Sequence, residues 1–585
     1  MKKDLIAILV IATATLALSL PLFVPGFYTI HDDQQIARLF VFDQAIKTGQ
    51  FPVRWVDGLG FGFGYPLFVF YPPLVYILGE IFHTAGFGFI DSVKIVFGAS
   101  ILLSGIAMYV LTREFWGRSA AIVSALFYMF VPYRALDVYV RGALAESFSF
   151  VWLPLIIWSF YKLTVTKKPI HIHLSAIFLA LLMITHNLIF LSFMLILPLY
   201  LLFLILISKK KLFTIYYLLF TIFLALGLSA FFWLPALAEK KFTIVDNLLL
   251  VNLANYNIHF VYPAQLWNWP WGFGGSAAGL ADGISFKIGK LHILAAVATF
   301  ILAIAHLVYN KGIKNKLLAL RSFSVGGSIV NFALFIFSAF MTTFYSKFIW
   351  TLLPPLAYLQ FPWRFLLFTA IFSSIAVGAL IYFLRVPILK LFVGFFLIIL
   401  LVIPNLKLFK PQTYRENITD EIATSNEVIN WDISSSSFEY LPQGTKLFKS
   451  DLGTNIAAIE RKDIPKQKIE IISGQSNIEN LKSAPHKVTF SVNAKDQTQI
   501  KANIFNFPGW QLNIDGNKST INDNNRLKLI TFTVSKGLHQ VKIEFKNTPI
   551  GTTANSISVF TIIIMIIFTL RAKTRLTGRS RELNI

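Results

Sequence analysis

The stretch Thr29 to Trp55, "TIHDDQQIARLFVFDQAIKTGQFPVRW", sets His31, Asp32 and Asp33 side by side directly after the first long apolar run of the chain. One carboxylate at the end of such a run is an ordinary water-seeking group. Two beside a histidine form a cluster that could orient a hydroxyl group, remove its proton, or hold a divalent cation such as Mg or Mn with oxygen ligands against a phosphate. A second polar stretch, "PYRALDVYVRGALAES", gathers Arg134, Asp137, Arg141 and Glu146 within one short connection. It reads either as a salt-bridged loop on helix ends or as a site in which Asp137 or Glu146 joins the first carboxylates while Arg141 grips an anion through its planar fork.

Arg364 in "QFPWRF" poses the same alternative, a headgroup anchor or a clamp on a phosphate at the membrane plane. His186 in "THN" stands at a helix end, where capping competes with chemistry. His171 and His173 lie in a basic loop with no third ligand in sight, so no metal is assigned to them. "GLGFGFGYP" is rich in glycine, but no strand precedes it and no phosphate-loop lysine follows, which makes it a tight, close-packed turn.

The elements that must position these residues are membrane helices. The chain has 585 residues, 56% hydrophobic and 14% charged, with a mean hydropathy of +0.65, a composition that excludes a soluble globular protein. The formal net charge of +23 collects in short loops between apolar runs, which is the pattern of cytoplasmic loops and not of a nucleic-acid surface. There is no cysteine, which excludes disulfides and thiolate metal sites. The basic start and apolar run of the N-terminus are read as a retained first helix rather than a cleaved signal peptide.

With Lys2 and Lys3 inside, the first helix delivers "HDDQQ" outside. "YPLFVFYPPLVYILGEIF" carries Pro66, Pro72, Pro73 and Glu80 and is read as a re-entrant or surface-lying pair, because only then do the basic loops all face the cytoplasm. About twelve spans result, roughly at 5–24, 95–111, 119–132, 147–165, 172–186, 188–207, 212–234, 289–309, 324–344, 363–384, 387–404 and 554–570. The expected organisation is a membrane domain over 1–409 with its first outer loop at 25–94, an outer domain over 410–553, a final helix at 554–570 and a basic cytoplasmic tail at 571–585. In the outer domain "KVTFSVNA" alternates with period two, "WQLNIDGN" holds an Asp515-Gly516 turn, and "LKLITFTVSKGLHQVKIEF" reads as two strands joined at Ser535-Lys536-Gly537, which predicts an antiparallel β-sandwich. Trp510 is expected in its core rather than as a sugar-stacking platform.

The quoted motifs "HDDQQIARLF", "GQFPVRW", "GYPLFVFYPPL", "VRGALAES", "THN" and "QFPWRF" together resemble bacterial membrane proteins labelled 6-pyruvoyl-tetrahydropterin-synthase-related, although nothing in them suggests pterin chemistry. "FNFPGWQLNIDGN" and "VSKGLHQVKIEF" are similar to the C-terminal domain of YfhO-like membrane proteins. Both resemble members of the GT-C glycosyltransferase superfamily. The resemblance implies a multi-span enzyme that takes a sugar from a polyprenyl-phosphate donor at the outer membrane face and passes it to a lipid, polysaccharide or protein acceptor. It implies an essential acidic residue in the first outer loop, here Asp32 or Asp33, and a second acidic position matching Asp137 or Glu146. His31, Arg54, Arg141, His186 and Arg364 are then the expected substrate-binding residues, and a cation, Mg or Mn, is the cofactor left open. The alternatives are a transporter or flippase of lipid-linked saccharides and a non-catalytic assembly protein. Single cysteines introduced at Gly275 and Asn517 should label from outside, and one at Lys210 only after permeabilisation. Labelling of an Arg113→Cys variant from outside would overturn the re-entrant assignment of "YPPLVYILGEIF".

Overall fold

The computed structural model describes residues 2–249, 255–309, 313–449 and 455–582. Long apolar runs become helices because in hydrocarbon every backbone polar group must be satisfied within its own segment. Among the described residues nine helices are long and apolar enough to cross a membrane, which makes this a multi-pass membrane protein. Each of the twelve expected spans has a helix at its place, but three fall short of a full straight span. The third is the first half of a pair, Arg118–Met129 and Pro132–Arg141, bent by 42° where Pro132 cannot continue the ladder. Pro169–Thr185 and Gly326–Thr342 have 17 residues each, about 26 Å of helix.

The bundle has a centre and a rim. Pro362–Phe383 is buried over 89% of its apolar stretch, Pro387–Leu406 over only 11%, so the first is a core helix and the second faces lipid. Between the first helix, Lys2–Ser19, and the long helix Phe89–Trp116 the chain forms helices at Gln35–Lys47, Leu67–Phe70 and Leu74–Thr84. The last has 11 residues, about 17 Å, too short to cross a core of roughly 30 Å. The glycine run is the tight turn expected. Gly58, Gly60, Gly62 and Gly64 all take positive φ, and a Cβ on Gly64 would meet the Trp55 ring at 2.6 Å.

Among the described residues twelve strands accompany the helices. β1 (Phe27–Tyr28) pairs antiparallel with β2 (Tyr414–Arg415), and β3 (Leu447–Lys449) pairs with β4 (Asn455–Ala457). The rest are β5 (Ile469–Ser473), β6 (Ser476–Ala484), β7 (Lys487–Ala494), β8 (Thr498–Phe505), β9 (Trp510–Ile514), β10 (Asn517–Ser519), β11 (Leu529–Val534) and β12 (Gly537–Phe545). They form a five-stranded sheet, β10-β9-β12-β7-β6, and a three-stranded sheet, β11-β8-β5. Val488, Phe490 and Val492 from one sheet and Ile500, Ala502, Ile530 and Phe532 from the other are buried, the alternation of two sheets sharing a core. Ser535-Lys536-Gly537 does join two strands, but they lie in different sheets, because β12 pairs with β7 and β9 while β11 pairs with β8.

The β-rich unit is fastened to the first loop. Trp55, 1% exposed, packs edge-on against Trp510 at 5.2 Å and against Phe545 at 5.4 Å, and this places Trp510 in a core. Lys468 Nζ pairs with Asp57 at 2.7 Å. Upstream of Ile469 the segment belongs to the helical part as much as to the sheets, since Asp420 accepts hydrogen bonds from the Phe89 and Ile90 amides at the start of the long helix. Trp55→Ala should lower stability by about 3–5 kcal/mol. In detergent this reads as a drop in Tm and faster proteolysis after residue 463, and an unchanged Tm would refute the role given to Trp55 as the fastener.

Candidate functional site

The short helix Pro132–Leu136 widens into a looser turn over Asp137–Arg141 and ends at Gly142 in the left-handed region, φ 67°. A Cβ on Gly142 would meet Ile30 at 2.3 Å, so only glycine lets the first-loop segment lie this close. That segment is laid along the turn by two backbone bonds, His31 N to Val140 O at 3.1 Å and Asp32 N to Arg141 O at 2.8 Å. The "HDD" and "VRGALAES" motifs are therefore one structural unit.

Within it Arg141 Nη1 donates to Asp137 Oδ1 at 2.6 Å and to Glu146 Oε2 at 2.8 Å. Tyr133 OH donates to Glu146 Oε1, and the Arg141 guanidinium lies 4.5 Å over the Trp363 ring. Asp137 and Glu146 are fully buried, which only matched charges and hydrogen bonds make tolerable. Arg364 arrives from another helix, its Nε 3.5 Å from Glu146 Oε2 and its Nη1 donating to Leu359 O at 2.7 Å. Its buried Nε makes no hydrogen bond among the described residues.

This network walls a cavity of about 730 Å³. Asp32, Arg141, Glu146, His186, Arg364, Lys240 and Glu439 line it together with apolar side chains such as Leu188, Leu191, Leu226, Trp233 and Leu237. Asp32 is half-buried there and forms no ion pair with a described residue. His186 caps the following helix, its Nδ1 accepting from Ile189 N, and lines the wall.

Three expected residues stand elsewhere. His31 is exposed, with Nε2 3.0 Å from Phe273 O, and Asp33 is exposed and off the cavity wall. Arg54 is a fastener. It donates to Asn547 and Asn555 at 2.9 Å and to Phe231 O at 3.1 Å, joining the first loop to the last helix. Sequence reasoning missed Tyr133 and Trp363, which stand directly beside quoted charges, and it missed the Lys240, Asp246 and Tyr358 cluster and Glu439 altogether. Lys240 Nζ lies 2.6 Å from Tyr358 OH, which donates to Asp246 at 2.7 Å; no local pattern joins residues so far apart in the chain. Among the described residues no three His, Asp or Glu side chains converge as metal ligands. Asp137 and Glu146, the two buried carboxylates of the network, are both bonded to Arg141.

No family model matches the chain, and neither does any curated protein. Among solved structures, the oligosaccharyltransferase of Archaeoglobus fulgidus in its apo form is similar over 69% of this chain, at 12% identity and a TM-score of 0.39, and this chain covers 55% of that protein. The same enzyme in complex with Zn and sulfate gives 14% identity and a TM-score of 0.35 over 72% of this chain and 53% of that one. ArnT from Cupriavidus metallidurans, solved bound to undecaprenyl phosphate, gives 11% identity and a TM-score of 0.34 over 64% of this chain and 77% of that one. These are distant likenesses, and the site stands on its own geometry.

Removing Arg141 strands two buried carboxylates, so Arg141→Ala should cost about 3–5 kcal/mol. Arg364→Ala, which leaves Glu146 its stronger partner, should cost much less. Melting curves of the two variants in detergent test this order, and an Arg141→Ala protein as stable as the wild type would show that the network is not what holds the turn.

Proposed function

We propose that the cavity binds the phosphate end of a polyprenyl-phosphate-linked sugar and that the protein is a glycosyltransferase working at the outer membrane face. The observation that carries this reading is the cavity's double character. Its lining sets the guanidinium-bearing Arg141 and Arg364 beside leucines and Trp233. A ligand with an anionic head and a hydrocarbon tail satisfies both, because a guanidinium pairs well with a phosphate and apolar wall is best covered by apolar ligand.

Asp32 is the base in this reading. Its carboxylate reaches the cavity from a backbone pinned to Arg141, accepts the proton of the acceptor hydroxyl as that oxygen attacks the anomeric carbon, and so raises the nucleophilicity of the oxygen. The bond from the anomeric carbon to the phosphate oxygen breaks, and the negative charge left on the lipid phosphate is met by Arg364, with Arg141 behind it. Asp137 and Glu146 position Arg141. With the first helix entering from the cytoplasm, the β-rich unit lies outside with the acceptor, which is a lipid, a polysaccharide or a protein.

Asp32→Asn should leave folding intact and reduce release of polyprenyl phosphate from a panel of lipid-linked sugars by about 10²-fold or more, the usual contribution of a general base. Asp33→Asn, off the cavity wall, should change it little. Arg364→Ala should raise the apparent KM for donor as well as lower kcat, because the phosphate is present in ground and transition states alike. Full activity of Asp32→Asn at matched levels of folded protein would sink the assignment.

A further inference from the structure

A second cavity, of about 570 Å³, lies where the β9–β10 hairpin meets the helical part. Its apolar floor comes from Phe242, Phe507 and Trp510, and its polar rim from Gln443, Gln511, Ser519 and the Asn506–Asp523 pair. We propose that this groove binds a neutral saccharide chain, the acceptor glycan of the transfer described above. The word acceptor rests on that reading; the saccharide binding does not.

Three observations converge. The side chains of Gln443, Gln511 and Ser519 make no hydrogen bond to any described residue, and Asn506 Nδ2 donates to Asp523 Oδ2 at 3.0 Å, leaving one oxygen of each side chain open. Amide, hydroxyl and carboxylate groups with spare capacity match the dense donor and acceptor pattern of sugar hydroxyls. Phe242, 39% exposed, adds an aromatic surface for the apolar face of a pyranose ring. The charges here are Lys518 and Asp523, one of each sign, which suits an uncharged chain better than a polyanion. A peptide added as an extra strand is a poorer occupant, since the edge strand β10 has only three residues to offer a backbone ladder.

The groove is also next to the first cavity. The segments 240–245 and 439–443 run side by side, joined by Ile244 N to Leu441 O at 3.0 Å and Gln443 N to Phe242 O at 2.8 Å. Lys240, Val245, Glu439 and Tyr440 face the first cavity, and Phe242, Pro442 and Gln443 face the groove. The two segments thus form a wall shared by the groove and Asp32's cavity.

The test is saturation-transfer NMR on the full chain in detergent, with mannotetraose and chitotetraose as probes. At least one probe should receive saturation. The double variant Gln511→Ala/Asp523→Ala should weaken its apparent affinity by about ten-fold, the loss expected for two hydrogen-bonding side chains, while polyprenyl phosphate binding stays at the wild-type level. Thr520→Trp, at the exposed edge, should block the groove without touching its floor and serves if the double variant folds poorly. No transfer to either probe, transfer that survives both variants, or displacement of the sugar signal by an extended peptide would overturn the groove assignment. Saccharide binding without any lipid-phosphate release would keep the groove and remove the transferase reading.

Discussion

One guanidinium, that of Arg141, sets the geometry on which the polar end of the bundle depends. It sits between two carboxylates that water does not reach, and such an arrangement persists only when every charge is matched and hydrogen-bonded. Asp137 lies one turn before Arg141 and Glu146 opens the following helix, so their common partner fixes the chain reversal at Gly142. Tyr133 and Trp363 complete the enclosure. Because the backbone of this turn also carries the Asp32 segment, the ion pair decides where the half-buried carboxylate faces.

The cavity so formed is balanced in charge. Three acidic side chains, Asp32, Glu146 and Glu439, and three basic ones, Arg141, Lys240 and Arg364, line it. A broad positive potential is therefore not what would draw an anion in. Recognition has to come from local geometry, above all from the donors that Arg364 does not use within the protein.

Much of this was legible in the chain itself, for a physical reason. In a sequence this apolar an ionisable residue at a helix end is conspicuous, and Asp32, Arg141, Glu146, His186 and Arg364 all stand out that way. What one dimension hides is facing. Asp32 and Asp33 are indistinguishable as letters, and only the pairing with Val140 and Arg141 turns one to the cavity and leaves the other in water. Arg54 looked like a ligand-binding cation because a buried fastener and a binding residue share one residue type. Glu439 lay in a stretch read as part of the outer domain, and nothing periodic marks it. The strands were readable from their alternation, whereas the division of β11 and β12 between two sheets is set by long-range pairing. The span count shifted where helices of 17 residues sit at the margin of bilayer thickness.

The pairing of β1 with β2 is small, two residues on each side, and Thr29 meets Thr413 across a separation of 384 residues. Its consequence lies in biogenesis. The segment bearing Asp32 leaves the ribosome first and has its partner synthesised only after almost all the membrane helices, a delay of about 20–80 s at usual elongation rates. The bundle must therefore insert and associate with this strand pair still unformed. An incompletely made chain can hold Asp32 against Val140 and Arg141 and yet lack this strand pair and the Glu439 side of the cavity wall, so the step that completes assembly is also the step that completes the site.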